Sequence, residues 1–246
     1  TGCGQSAPLA NADAGTNAAP AYPTPPELTG VAKVAGGLQL SGVAMPNLAV
    51  RLATPSGAAG LTNADADGRW RFVVPASGSP RLFSLSMAEG GRVVQAAGYL
   101  FVAPGGVATK LRAGGGSALL DGGASLPSLQ TLDYDDKGAA TLAGRAGPGE
   151  TLSLRVDGVE RAQGQASADG RFVLALNMPL TDGDHDFDLA SPTGEVEVHA
   201  SINRLTPLGT SLFAATPVGG GWRVDWLTPG GGEQTTVILG PPAPRT

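Results

Sequence analysis

The chain has 246 residues, among them 38 Gly and 20 Pro, with 15% charged residues and a formal net charge of −5. Gly and Pro in that quantity break helices, and the acidic balance argues against a nucleic-acid partner, which needs clustered Lys and Arg to replace counterions. One cysteine leaves no disulfide, aromatics are only 5%, and no stretch approaches the roughly 20 apolar residues of a membrane-spanning helix; the length has room for two small, aliphatic cores.

The first element is TGCGQS, with the single thiol at Cys3 ahead of a polar stretch. Burial is not expected there. Thr1-Gly2-Cys3 resembles the end of a bacterial lipobox, in which a signal peptidase cuts before a cysteine that becomes lipid-modified. That resemblance implies a membrane anchor on Cys3. Gly4, standing where an inner-membrane retention signal places Asp, implies the outer membrane. The other reading is a plain free thiol. From Gly4 to Glu27 the text lacks periodicity and carries Pro8, Pro20, Pro23, Pro25 and Pro26. It has too little apolar surface to offset its ordering entropy, so residues 1–27 are expected to form a disordered Pro/Ala-rich tether.

A repeat organises the chain beyond the tether. Residues 41–74 align with 143–176 without a gap, ADADGRWRFVV answering ASADGRFVLAL. Val50, Leu52 and Thr54 answer Leu152, Leu154 and Val156; Trp70, Phe72 and Val74 answer Phe172, Leu174 and Leu176. Both sets alternate at period two, as strands with one buried face do, and Arg51, Arg69, Arg71, Arg155 and Arg171 fall on the opposite face. A two-residue adjustment brings Phe83 and Leu85 onto Phe187 and Leu189. In GEVEVHASIN, Val196, Val198, Ala200 and Ile202 point inward, and Glu195, Glu197, His199 and Ser201 outward. Short strands punctuated by Gly, Pro and Asp indicate sandwiches.

The motifs GRAGPGETLSLRVDG, SADGRFVLAL and LTDGDHDFDL of the second copy, and GVAMPNLAVRL and ADADGRWRFVV of the first, resemble bacterial immunoglobulin-like domains repeated in surface and envelope proteins. The first copy departs in having Asn47 where the family often has Gly. The resemblance implies an all-β fold with two tandem Ig-like β-sandwich domains, at residues 28–112 and 130–205, and it implies no common activity. Residues 113–129, AGGGSALLDGGASLPSL, are expected to be a Gly-rich linker, flexible unless Leu119, Leu120 or Leu126 packs back. Residues 206–246 read as a three-stranded C-terminal β-meander and tail, with SLFAATP, GWRVDWL and EQTTVIL as strands, better placed on the second sandwich than alone.

Four groups of residues are candidates for chemistry or recognition. Asp65-Ala66-Asp67-Gly68 and its partner around Asp169-Gly170 read as turns, because no distal bidentate acid completes a calcium loop. TDGDHDFDL gathers Asp182, Asp184 and Asp186, a candidate divalent-ion site on what is otherwise a solvated acidic strand face. Trp222 and Trp226, with Arg223 and Asp225 on the other face of the same strand, are candidates for a partner-binding surface or a sugar platform. The bland alternative is that the tryptophans cover the open end of the second sandwich. Catalytic spacing is absent: His185 and His199 are the two histidines, no nucleophile elbow or phosphate loop occurs, and Asp135 or Asp136 with Glu150 is the remaining acid pair. TLDYDDKG, around Tyr134, reads as a loop.

The expectation is therefore a non-catalytic protein without a cofactor, lipid-anchored through Cys3 in the outer membrane. It would act as spacer and docking scaffold for another envelope protein, with its free C-terminal strand edge as the docking element. The alternative is a carbohydrate-binding or adhesive surface module.

Overall fold

The computed structural model describes residues 22–120, 125–203 and 207–240. Cys3, with the anchor expected on it, and most of the Pro-rich tether lie outside the described residues. Every regular element among the described residues is a strand. The first module contains β1 (Glu27–Val34), β2 (Gly37–Val43), β3 (Ala49–Ala53), β4 (Ala59–Asn63), β5 (Arg69–Pro75), β6 (Arg81–Glu89), β7 (Arg92–Gln95), β8 (Tyr99–Val102), β9 (Ala108–Leu111) and β10 (Ala118–Leu119). The second contains β11 (Ser128–Tyr134), β12 (Ala140–Arg145), β13 (Thr151–Val156), β14 (Val159–Gln165), β15 (Arg171–Ala175), β16 (Gly183–Ser191), β17 (Gly194–Ile202), β18 (Phe213–Val218), β19 (Gly221–Leu227) and β20 (Glu233–Ile238).

Each module is a sandwich of two antiparallel sheets. The first sets β1-β2-β5 against β10-β9-β8-β6-β3-β4, with β7 paired to β6; the second sets β15-β12-β11-β20-β19-β18 against β14-β13-β16-β17. The repeated text makes the repeated halves. Trp70 lies opposite Gly42 and Phe172 opposite Gly144 in the strand pairing, and each aromatic is buried in its own core. Leu85 pairs with Leu52 and Leu189 with Leu154, which is the register that the two-residue adjustment anticipates. The arginines fall outside: Arg51, Arg69, Arg71, Arg155 and Arg171 are all exposed.

The shared Asp-x-Asp-Gly is a turn in both copies. Asp65 Oδ1 accepts from the amides of Asp67 (3.0 Å) and Arg69 (2.8 Å), and in the other copy Ser167 Oγ takes over, accepting from Arg171 N at 3.1 Å. Gly68 and Gly170 both have φ +77°, where a side chain is strained, and a Cβ on them would also strike the carbonyl of Ala44 or Ala146. The departure at Asn47 costs little for a related reason. It takes φ 61° where Gly149 takes 73°, and Asn is the non-glycine residue that best tolerates that region.

The stretch expected to be a loose linker is held on both sides. Ala118–Leu119 pairs with β9, Leu119 and Leu120 join apolar clusters, and Ser117 has no exposure, while β11 already begins at Ser128. Leu126 alone of the three leucines stays exposed. The reason is a buried polar hub. Asp133 accepts from Ser117 N (2.8 Å), Ser117 Oγ (2.7 Å), Thr236 Oγ1 (2.5 Å) and Gln234 Nε2 (3.2 Å), and Gln234 in turn bonds Arg112 O and Gly114 N. Burial pushes the Asp133 carboxyl above its ordinary range, against the opposing pull of those donors. The glycines permit close approach: a Cβ on Gly115 would lie 2.6 Å from Thr141 Oγ1. TLDY is accordingly the end of a strand that is buried at every position, not a loop.

The C-terminal strands complete the joint. β20 inserts between β11 and β19, so the meander is half of the second sandwich's larger sheet. One face of that sheet sends Val237 and Leu239 into the second core; the other sends Val224, Trp226 and Ile238 against Leu82, Phe101, Ala103 and Leu111 of the first module. Trp226 is fully buried, edge-on to Tyr99 with ring centroids 5.8 Å apart, and donates from Nε1 to Thr236 Oγ1 at 3.1 Å. A third apolar core thus joins the modules.

Replacing Trp226 by Ala is expected to cost about 3–5 kcal/mol, the usual loss for a large buried aromatic, read as an earlier urea midpoint. Asp133→Ala, which strips the acceptor from Ser117 and Thr236, is expected to raise the radius of gyration in small-angle scattering as the modules part. A wild-type midpoint together with a wild-type radius would count against the joint.

Candidate functional site

The alternating text GEVEVHASI makes β17 a strand with one apolar and one charged face, and DHDFDL does the same for β16. Their pairing sets Asp186 opposite His199, Asp184 opposite Ser201 and Asp188 opposite Glu197. The inward side carries Phe187, Leu189, Val196 and Ile202 into the core; the outward side is a ladder of carboxylates.

The histidines have different fates. His185 is buried, its Nδ1 2.7 Å from Asp157 Oδ2 and its Nε2 2.9 Å from the Thr181 carbonyl. Asp157 sits at φ 52° and also accepts from Asp186 N at 3.0 Å, so the pair clamps the β13–β14 turn against β16. His199 is exposed and bonds Asp186 through Nδ1, with Nε2 3.5 Å from Glu197.

The acids foreseen as an ion site are therefore redistributed. Asp186, Glu197 and His199 offer ligand atoms within 4.8 Å of one another and are the described residues able to share a metal ion. Asp184 instead accepts from Ser201, and Asp182 falls outside that group. Sequence reading stopped at the DxDxD run because the other two ligands come from the paired strand, although the alternation of β17 had already put Glu197 and His199 outward. The remaining acid candidates are occupied locally: Asp135 accepts from the amides of Lys137 and Ala139, and Glu150 from Gly147 N and Thr193 Oγ1.

The partner-binding set meets a different environment from the one its sequence suggests. Trp226 lies inside the joint, and Trp222 is half-buried beside Phe101, with centroids 6.1 Å apart. Their face of β19 is taken by the first module. Arg223 and Asp225 point to the opposite side, each with a side chain only 13% exposed, and form an ion pair at 3.0 Å that Thr235 supports. These two partner-binding candidates are thus mostly enclosed in the second sandwich.

The sheets of that sandwich differ in width. β17 lies over β11, and the larger sheet continues past it through β20, β19 and β18. A cleft of approximately 690 Å³ opens there. Glu197, Val198, His199, Ala200 and Ser201 border it consecutively, which places the edge of β17, rather than one face, along the cavity. Val218, Arg223 and the run from Val237 to Gly240 form the far wall.

No family model matches the chain, and no curated protein matches it. Among solved structures it is similar to the BSP domain of biofilm associated protein, at 11% identity over 74% of this chain and 30% of that one, with a TM-score of 0.28. It is also similar to the central fibronectin-III array of RIM-binding protein, at 13% identity over 90% of this chain and 83% of that one, with a TM-score of 0.28. The chain spans under a third of the first of these structures. Superpositions this loose carry no inference about what the chain does.

Stability should depend on pH through the clamp. Burial acts against the charged form of His185, but its bonds to Thr181 and Asp157 and the charges of Asp157 and Asp184 outweigh it, and its pKa is raised. Asp157 is held low, first by Asp186 N and then by His185. The raised imidazole stabilises fully below its unfolded value of about 6.5 and loses that contribution as pH climbs through the folded one; the lowered carboxyl stabilises above about 3.8 and loses it on acidification. The clamp is therefore worth most between those values. Urea midpoints from pH 6 to 8 should fall less in His185→Gln than in the wild type, and equal slopes would contradict this.

Proposed function

We propose that the chain is a non-catalytic docking module, a rigid pair of β-sandwiches that presents the cleft of the second module to a partner protein. The observation that carries this reading is the cleft itself: it runs along a strand edge, has apolar and charged walls, and sits beside a joint that holds its bearing. In keeping with the lipobox resemblance, the module hangs from a lipidated Cys3 in the outer membrane of a bacterium and docks another envelope protein. A carbohydrate-binding or adhesive role is less well supported, because the tryptophans that would stack on sugar rings are turned into the joint.

Two measurements test this. A photo-crosslinking residue at Val218, which is 37% exposed and borders the cleft, should capture a protein in intact envelopes, while the same residue at Val93, 66% exposed on the first module, should not. Absence of any adduct at Val218 would remove the docking assignment. An alkyne fatty-acid label should enter the wild type and not Cys3→Ala, which should leave the membrane fraction; an unlabelled wild type would remove the anchor.

A further inference from the structure

We infer that the occupant of the cleft is an extended segment that adds to β17 as a fifth strand of the smaller sheet, with cationic side chains outward and small apolar ones inward. The inference rests on the docking reading and specifies its geometry.

The edge is open. Among the described residues β17 pairs with β16 alone, in unbroken register from Gly194 to Ile202. Strand edges that must stay unpaired are normally blunted by Pro, Lys, a bulge or an inward charge. β17 has no Pro, no Lys, no register shift and no inward charge, its inward side chains being Val196, Val198, Ala200 and Ile202; its one guard is the outward charge of Glu195, Glu197 and His199, which repels acidic strands and admits cationic ones. The contrast is β18, the outer strand of the facing sheet, which carries Pro217 within its span. Proline cannot donate to a ladder, so the meander's own edge, the docking element expected from sequence, is the poorer template.

There is also room, and a surface to cover. The larger sheet extends past β17, so an added strand would lie over Val237 and the Arg223–Asp225 pair instead of projecting into solvent. Its inward side chains would meet Val218, Val237 and Leu239 across the cleft.

Charge selects the outward side chains. A new strand beside β17 places its outward residues directly opposite Glu195, Glu197 and His199, with Asp184, Asp186 and Asp188 one strand further in. His199 is already engaged by Asp186, and Arg155 is paired across from Asp188, two strands in from the open edge. Opposite charges facing each other across strands stabilise a sheet and like charges oppose it, so Lys or Arg at alternate positions fits and Asp or Glu does not. Backbone bonds then supply affinity and the alternation supplies selectivity.

The probe is a short acetylated peptide alternating Lys and Val, tested on the full chain by calorimetry and by amide hydrogen exchange. Binding is expected to slow exchange across residues 194–202. A copy N-methylated at alternate amides, with the same charge and no strand-forming capacity, should bind about tenfold more weakly or not at all, and a Glu/Val peptide should not bind. In Glu195→Lys/Glu197→Lys the preference should reverse, with the Glu/Val peptide now favoured. Because both substituted positions are exposed, folding is checked by an unchanged urea midpoint. Equal binding of the N-methylated copy, or binding without protection of β17, would overturn the proposal. So would protection present without peptide, through a second copy or through residues 241–246, since the edge would then belong to the chain itself. If these fail while Val218 still crosslinks a partner, docking stands and only the strand mode is lost.

Discussion

Nearly everything in this molecule depends on β20 having two buried faces. Val237 and Leu239 close the core of the second sandwich, while Ile238, on the strand between them, belongs to the apolar joint with the first. A strand in that position cannot shift register by one residue without exchanging the two sets. Its neighbours are then fixed in turn: β19 must present Trp226 to the first module and Arg223 with Asp225 to the second, and β18 is carried out beyond the smaller sheet. The unequal width of the two sheets, and hence the cleft, is a by-product of where β20 was inserted.

The joint combines two kinds of adhesion that behave differently. The contact of Trp226, Phe101, Leu82 and Leu111 is non-directional and scales with area. The hub around Asp133 is directional, and inside a low-dielectric interior it tolerates no missing partner. Apolar contact alone would let the modules slide over one another; the hub specifies a single arrangement. It also explains a polar segment, RAGGGS, that holds a fixed course between two sandwiches instead of acting as a hinge.

What the sequence disclosed was whatever has a local period. The one-sided strands β3, β5, β13, β15 and β17 announce themselves by alternation, and the Asp-Gly turns by their chemistry. Two-sided strands do not. YLFVA at β8 is a short continuous apolar run without alternation and is passed over, and TTVIL at β20, though legible as a strand, carries no sign that both its faces are buried, so the joint stays hidden. The hub was equally hidden, since Asp133 and Thr236 are 103 residues apart and each reads as an ordinary surface residue. For the site, the outward facing of Glu197 and His199 was legible on its own strand; their meeting with Asp186 depended on a cross-strand register that no single segment encodes. Trp222 and Trp226 were misleading because a strand face that looks free in isolation can be the one on which another domain sits.

A chain of two domains ordinarily surrenders orientational freedom when something grips it, and that loss is subtracted from whatever the contacts supply. Here the tryptophan and the buried carboxylate tie the two modules into one arrangement. A ligand arriving at the second sandwich meets a body whose bearing is already decided, so even a modest contact can be retained as net affinity.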